Sequence, residues 1–265
     1  MRAVAIEADL LKRAIFLQIL CALTALTLHL PQCHAEPAAA QSALAPVTTF
    51  EEPFADLKRW QHVGFPKIKR HTKFSIVTGE DVLAIAAPNA ASALKLDTNS
   101  SASVLILRSK LILSLDSVLK WSWMVSKPLP KIDVSTKVGD DYAIRIYVMA
   151  SSSSEALSTW DRIKLLAAAK FGDEKPGPTL AYVRTAAPLP RRCMASPYTS
   201  LVRIIPFVAD AGLWSEAQVS PAKDFRECFG VELKGAARLA IMADSDSSGS
   251  SSLAYIADLK LKRQE

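Results

Sequence analysis

Two aspartates at the start of an apolar run are the first residues whose type and spacing could do chemistry. Asp140 and Asp141 follow Gly139 and precede an alternating segment that contains Arg145 and Tyr147. Paired carboxylates can act as acid and base when their surroundings separate their pKa values. Neighbours along a strand point to opposite faces, so these two carboxylates need not face each other. The alternatives are a turn or an ion pair with Arg145, and contact with a ligand.

A second acidic stretch, D-S-D-S-S-G at 244–249, offers oxygen atoms at alternate positions and then a glycine. This resembles the first half of a Ca²⁺ loop. The twelfth position is Tyr255 instead of glutamate, and the flanking residues resemble strands, so the stretch is not an EF-hand. A β-turn rich in Asp and Ser side chains explains the pattern. The metal alternative is a structural Ca²⁺ held by Asp244, Asp246 and Ser248; otherwise no cofactor is expected.

The tryptophans suggest a carbohydrate hypothesis, because sugar faces stack on exposed aromatic rings. Trp121 and Trp123 share one face of a predicted strand with aliphatic neighbours, which favours packing in the core. Trp214 follows Gly212 in a loop-like segment and is the better candidate for exposure. The predicted ligand-binding residues are Asp140, Asp141, Arg145, Tyr147, Tyr198 and Trp214.

Several catalytic and binding motifs are absent from the sequence. It has no P-loop, no glycine-rich dinucleotide motif and no G-x-S-x-G. The net charge of +6 is mild, and no nucleic-acid-binding motif accompanies it, so nucleic acid is not expected as a partner. These absences favour a protein without enzymatic activity.

The favoured hypothesis is a non-enzymatic envelope module whose partner is a polysaccharide or another envelope component. Two alternatives stay open. One is a polysaccharide hydrolase or lyase that uses Asp140, Asp141 or Asp244 as acid or base. The other is a structural envelope protein that binds a protein partner through an exposed apolar patch.

The first 35 residues have the pattern of a secretory signal peptide. Arg2, Lys12 and Arg13 precede a nearly uncharged run at 14–30, and Cys33-His34-Ala35 forms a cleavage-like end. Export to the periplasm or the medium is therefore expected. The alternative is an uncleaved segment, which would be the protein's only contact with the membrane.

After cleavage, Cys193 and Cys228 are the cysteines that remain. In an oxidising compartment such a pair forms one disulfide or stays as two thiols. The sequence leaves both states open, because it does not show whether the two Cα atoms approach closely enough.

Short apolar runs separated by turn residues indicate about ten strands between 74 and 261. They predict an all-β fold, a jelly-roll-like antiparallel β-sandwich. One segment near 159–171 is rich in Ala, Leu and Lys and ends at Gly172, which predicts a single inserted α-helix. The predicted organisation is a signal peptide at 1–35, a flexible linker at 36–49 and one sandwich domain at 50–263.

Six short segments, in order along the chain, together resemble an exported bacterial family catalogued as domain of unknown function 3047. They lie at 65–66, 121–123, 137–148, 196–199, 229–230 and 241–249. The most specific are G-D-D-Y-A-I-R-I-Y-V at 139–148 and D-S-D-S-S-G at 244–249. The resemblance covers about residues 50–262 and implies an exported jelly-roll-like sandwich, without any assigned activity.

Two features depart from the pattern of that family. Arg184 stands where the family usually has an aromatic residue. The stretch at 244–249 has Ser247 where the family tends to have asparagine, which removes one strong oxygen donor from the candidate metal loop.

Overall fold

The computed structural model describes residues 45–65, 68–78, 90–130, 133, 135–151, 176–233 and 235–264. All of them belong to one compact unit, Ala43–Glu265. The predicted signal peptide and the predicted helix near 159–171 lie outside the described residues. In the part of the chain that is described, no helix has the length and apolarity needed to cross a bilayer.

The described residues form fourteen strands and one helix. The first seven strands are β1 Phe50–Glu52, β2 Trp60–Gly64, β3 Lys73–Thr78, β4 Ser92–Asn99, β5 Ala102–Leu107, β6 Leu111–Ile112 and β7 Ser117–Lys127. The others are β8 Arg145–Ser151, β9 Pro176–Thr185, β10 Met194–Ser196, β11 Thr199–Val208, β12 Ser215–Val219, β13 Ala236–Asp244 and β14 Ser251–Arg263. The helix is α1, Pro221–Phe229.

The strands form two sheets that pack as a sandwich. One sheet has the order β12-β7-β14-β4-β3, with β1 paired to β14. The other has the order β10-β11-β9-β8-β13-β5-β2, with β6 paired to β13. The predicted fold class, a mostly antiparallel β-sandwich, is confirmed. One pair is parallel: β9 and β11 align Thr179 with Val202, because the chain between them runs back before β11 begins.

The core lies between the sheets, and strand alternation explains its composition. In β7 the inward residues are Leu119, Trp121 and Trp123, and all three are fully buried. The Trp121 ring lies 5.6 Å from Tyr182 and 6.0 Å from Phe207 on the opposite sheet. Burial of each large apolar side chain stabilises the fold by roughly 1.5–3 kcal/mol. The prediction that Trp121 and Trp123 pack in the core is confirmed.

The helix α1 was not predicted, because nine residues give too short a periodic pattern to distinguish from a loop. It begins with Pro221, which suits the first helical position. It ends at Gly230, whose φ of 69° is the left-handed conformation that glycine tolerates best. Ala222 and Phe225 are buried, and they fix the helix against the core.

The sequence did not decide whether the two cysteines form a disulfide, and the structure contains this bond. Cys193 and Cys228 are bonded, with their Cα atoms 5.2 Å apart. The bond joins the residue before β10 to the last turn of α1. It therefore fixes one end of the 186–193 connection to the helix.

The strand pairing begins earlier than the predicted end of the linker. Val47 forms an isolated bridge with Leu111, with its N–H donating to the Lys110 carbonyl at 2.8 Å. The Ile112 N–H donates back to the Val47 carbonyl at 2.9 Å. Val47, in the segment expected to be linker, is therefore hydrogen-bonded to the sandwich.

Candidate functional site

Arg145 opens β8 and lies at the centre of a buried polar network. Its side chain is 5% exposed. One guanidinium nitrogen donates to the Asp140 carboxylate at 3.4 Å, and the other donates to the Asp140 carbonyl at 2.9 Å. The second nitrogen also donates to the Asp244 carboxylate. The ion pair that the sequence offered as an alternative for Asp140 is therefore formed, with a second partner from the end of β13.

The other acidic groups of the network hold backbone in place. The Asp141 carboxylate accepts from the Ser247 N–H at 3.3 Å and the Ser248 N–H at 2.7 Å. The Asp244 carboxylate accepts from the Tyr142 N–H at 3.0 Å. These bonds fasten the turn after β13 to the segment before β8, which is the structural role of the D-S-D-S-S-G stretch.

Three carboxylates meet in this network. Oxygen atoms of Asp141, Asp244 and Asp246 lie within 4.8 Å of one another. Burial raises the pKa of Asp244 to about 7, although Arg145 and the Tyr142 N–H act to lower it. Burial likewise raises the pKa of Asp246, and the neighbouring Asp141 adds to this shift.

The residues do not fit the predicted calcium site. Ca²⁺ takes about six to eight oxygen ligands. Here the Asp244 carboxylate already binds the Arg145 guanidinium, whose charge opposes a cation. The Asp141 oxygens accept backbone N–H groups, and the Ser248 hydroxyl lies 2.6 Å from that of Ser250. Asp246 alone keeps an accessible carboxylate, so the set of Asp244, Asp246 and Ser248 is explained by the turn.

The remaining predicted binding residues are three aromatic residues outside the ion pairs of the network. Tyr147 is half-buried in a small apolar cluster on the outer face of the larger sheet, with its ring 5.9 Å from the Arg145 guanidinium. Tyr198 is exposed, and its hydroxyl donates to the Lys137 carbonyl at 3.2 Å. Trp214 is half-buried in the turn before β12. The structure therefore brings together Asp140, Asp141 and Arg145, while the three aromatic residues lie around them.

A cavity of about 510 Å³ lies at the end of the sandwich, and we name it the rim cavity. Its walls come from the connections after β7, β9 and β11 together with adjacent strand residues. The lining is mostly apolar and rich in proline and alanine. The lining residues are Val125, 128–130, Asp133, Ser135, 141–143, 184–190, Ala209 and Ala211.

Asp141 connects the polar network to the rim cavity. It lines the cavity and also accepts the two backbone N–H groups of the 244–249 turn. Arg145 is not among the lining residues, because its guanidinium is enclosed between Asp140 and Asp244. The network supports one wall, and the cavity is the concave surface open to a ligand.

Among the described residues that line the rim cavity, Arg184 is the one cationic residue. One nitrogen, Nη2, donates to the carbonyls of Asp210 at 2.6 Å and Leu213 at 2.8 Å. Its Nε lies 3.5 Å from the Ser215 hydroxyl. Across the described residues no carboxylate forms a salt bridge with Arg184. Burial lowers the pKa of Arg184, and Asp210 only partly opposes this effect.

Two further lining residues carry buried polar atoms without a hydrogen-bond partner among the described residues. They are the Tyr142 hydroxyl and the Thr185 hydroxyl. Buried polar atoms are usually hydrogen-bonded, so an exception needs a physical explanation. No sequence pattern indicated Thr185, and Arg184 was noted only as a departure from an aromatic residue.

Comparison with known families identifies the chain at the level of its sequence. The family described as protein of unknown function (DUF3047) matches residues 58–260. The chain belongs to this family. The match covers both sheets of the sandwich, the polar network and the rim cavity, and it confirms the resemblance found in the sequence. No curated protein matches this DUF3047 member.

Solved structures give weak matches to this DUF3047 sandwich. TmCBM61 in complex with beta-1,4-galactotriose matches with a TM-score of 0.37 and 9% identity, over 79% of this chain and 91% of that one. A family 30 carbohydrate-binding module of the cellulase Cel9D-Cel44B of Clostridium thermocellum matches with a TM-score of 0.36 and 10% identity, over 83% of this chain and 94% of that one. The glycoside hydrolase domain of Endo-D from Streptococcus pneumoniae R6 matches with a TM-score of 0.34 and 10% identity, over 77% of this chain and 22% of that one. With TM-scores this low, the matches carry no conclusion about function.

Proposed function

We propose that this protein is a non-enzymatic module that binds a ligand in the rim cavity. The cavity itself carries the proposal: its volume of about 510 Å³ lies within the range that holds small ligands. Its walls combine an apolar lining with a few polar groups, which is the usual composition of a ligand site. The polar network beside it makes the wall at Asp141 rigid.

The acidic residues already take part in ion pairs and hydrogen bonds within the protein, which supports ligand binding instead of hydrolysis. The carboxylates of Asp140 and Asp244 contact Arg145, and that of Asp141 accepts two backbone N–H groups. A general acid or base must reach the proton that it transfers. Asp140 and Asp244 are buried and do not line the cavity, so neither is placed to act on a ligand there.

A glycan is the ligand class that we propose to test first. A sugar ring has apolar C–H faces, which suit the cavity's proline and leucine walls at 128–130 and 188–190. Its hydroxyls suit the exposed polar side chains of Asp133 and Ser135 on the same wall. Tyr198 extends the surface, because its exposed ring lies beside Lys137 on the connection that carries Ser135.

A cavity-filling variant tests this proposal. Ala187 is an exposed lining residue, so Ala187→Trp fills space in the cavity and should abolish binding. Val231→Trp is the matched control, because Val231 is exposed and does not line the cavity. The measurement is a glycan array followed by calorimetry on the hits. Equal binding by both variants, or no glycan bound by the wild type, would contradict the proposal.

The same samples test the enzyme alternative. Each glycan that binds is incubated with the wild-type protein, and the products are separated by chromatography. We expect the glycan to be recovered intact. Shortened or unsaturated products that vanish in Asp141→Asn would identify a hydrolase or lyase instead.

We also propose that the module is exported. The Cys193–Cys228 disulfide supports this, because such bonds persist mainly in oxidising compartments. The test is the mass of the N-terminal peptide of the purified protein. A start at residue 36 indicates cleavage, an intact N-terminus in the membrane fraction indicates a retained anchor, and a cytoplasmic location would contradict export.

A further inference from the structure

We infer that Arg184 is the anion-binding group of the rim cavity and that the ligand carries a carboxylate. This inference rests on the proposed binding function and adds the chemical class of the ligand. It depends on three observations: the buried position of Arg184, the partners of its guanidinium, and the polar atoms that line the same cavity.

The first observation is a buried cation that no described carboxylate pairs with directly. Arg184 is 5% exposed and lines the cavity, and its hydrogen-bond partners are two carbonyls and one hydroxyl. Removing a charge from water is costly unless an opposite charge compensates for it. Asp210 compensates for the charge of Arg184 only in part, and no carboxylate of the described residues forms a salt bridge with it. A carboxylate brought by a ligand would supply that salt bridge.

The second observation is the orientation of the guanidinium. The carbonyls of Asp210 and Leu213 hold Nη2, and Ser215 lies beside Nε. The third nitrogen, Nη1, has no hydrogen-bond partner in the described part of the chain. Its two N–H groups therefore remain as donors on a side chain that the turn before β12 already fixes. A fixed donor loses little conformational entropy when it binds an anion.

The third observation concerns the hydroxyls of Tyr142 and Thr185. Both residues line the cavity, and neither hydroxyl has a partner within the described residues. Each is a donor that can bind a carboxylate oxygen or a sugar hydroxyl. Arg184, Tyr142 and Thr185 each have a donor without a partner among the described residues, and together they form a polar patch in a mostly apolar lining.

The charge of the described lining favours a ligand group with one negative charge over a group with two. Arg184 supplies one positive charge, while Asp133 and Asp141 supply negative charge to the same lining. A group with two negative charges, such as a phosphate monoester, would be repelled by these carboxylates. A single carboxylate matches the single guanidinium. Uronic-acid sugars and short fatty acids both carry this group, and the experiment separates these two sources.

Calorimetry on the full chain tests the inference with four probes. They are the monosaccharides galacturonic acid and galactose, together with octanoate and octanol. We expect one of the two acids to bind the wild type at least about tenfold more tightly than its neutral counterpart, since a charge-assisted hydrogen bond is worth this much. Equal binding of acid and neutral probes, or no binding of either acid, would overturn the inference.

Variants locate the effect at the guanidinium. Arg184→Gln removes the charge and should reduce the ratio of acid binding to neutral binding at least about tenfold. Arg184→Lys keeps a charge and should retain a preference for the acid. Lys223→Gln is the matched control, because it removes one charge from an exposed residue of α1 that does not line the cavity. If Lys223→Gln reduced acid binding as much as Arg184→Gln, net charge would explain the result and the inference would fall.

The outcomes also separate this inference from the proposed function. Neutral galactose binding that Ala187→Trp abolishes, without any preference for the acid, would retain the binding module and reject the role of Arg184. If octanoate bound in a way that depends on Arg184 and the uronate did not bind, the result would support a carboxylate as the group bound by Arg184. It would reject a glycan as the ligand class. Near-ultraviolet circular dichroism shows whether Arg184→Gln is folded, and Arg184→Lys gives the charge comparison if it is not.

Discussion

Arg145 and Arg184 are almost equally buried, at 4% and 5% exposure, but the protein compensates their charges in different ways. Arg145 lies between the carboxylates of Asp140 and Asp244. Burial alone would lower its pKa, and Asp244 raises it well above the ordinary value. Burial lowers the pKa of Arg184, whose partners are carbonyls and a hydroxyl. The first arginine completes a closed network, and the second leaves a charge facing a cavity.

The difference follows from where the chain places acidic residues. The turn before β8 and the end of β13 bring Asp140 and Asp244 to Arg145. The turn before β12 brings backbone carbonyls to Arg184. A carboxylate neutralises a buried guanidinium, whereas carbonyl dipoles only partly replace its lost hydration. Structural and ligand-facing arginines can therefore be separated by their partners, even at the same burial.

The largest expected effect is the loss of Arg145. Arg145→Met leaves Asp140 and Asp244 buried without a cation, and we expect the free energy of unfolding to fall by roughly 3–5 kcal/mol. Arg184→Met leaves two carbonyls short of a donor and should cost less, about 1–3 kcal/mol. Urea unfolding measures both values. Equal losses would show that the two arginines are compensated alike.

The disulfide makes the next largest contribution, on the side of the molecule that carries Arg184. It fixes the 186–193 connection, part of which lines the cavity, whereas the Arg145 network depends on ion pairs. Replacing Cys193 and Cys228 together by serine should lower stability by about 4 kcal/mol, given a separation of 35 residues. The measurement is thermal unfolding with and without reductant. Reductant should destabilise the wild type and leave the double variant unchanged.

Two tyrosines extend the comparison to hydroxyl groups. Tyr182 donates to the buried Asp224 carboxylate at 2.8 Å, so Tyr182→Phe should cost roughly 1–3 kcal/mol. The Tyr142 hydroxyl has no partner in the described residues, so Tyr142→Phe should leave stability within about 0.5 kcal/mol. Urea unfolding of both variants gives the difference. A large loss in Tyr142→Phe would mean that its hydroxyl is already satisfied and is not available to a ligand.

The last expected effect is on the pH dependence of stability. The pKa of Asp244 is about 7 in the folded protein, against about 3.9 for an exposed aspartate. Between these values the folded state binds a proton that the unfolded state has lost, so this residue makes stability fall as pH rises. Asp244→Asn lacks this pH-dependent contribution to stability. Its stability deficit relative to the wild type should therefore shrink between pH 5 and pH 8, and a deficit that grows would contradict the raised pKa.

Much of the fold could be predicted because strand alternation is a local signal. The inward positions of β7 and the apolar runs of β5, β11 and β13 appear directly in the sequence. The helix α1 and the parallel pairing of β9 with β11 were missed. The helix is too short for periodicity, and the direction of a strand depends on partners far along the chain. The predicted helix near 159–171 remains a prediction.

The candidate site was predictable only in part. Asp140, Asp141 and Arg145 were selected because their types and spacing suggested chemistry, and they do meet. Their role as a closed network depends on Asp244, which is almost a hundred residues from Arg145. From the sequence, Asp244 was interpreted as part of a β-turn, with a metal site as the alternative. Arg184 gave no catalytic or metal-binding pattern, because its carbonyl partners leave no mark on the sequence.

The sequence by itself determined the strands, the aromatic core and the family, because side-chain periodicity and short motifs are properties of neighbouring residues. The tertiary structure decided the pairing of Cys193 with Cys228, the partners of the two arginines and the existence of the rim cavity. Each of these depends on which distant segments come within a few ångströms of one another. Burial then decides which charges are neutralised within the protein and which one remains for a ligand.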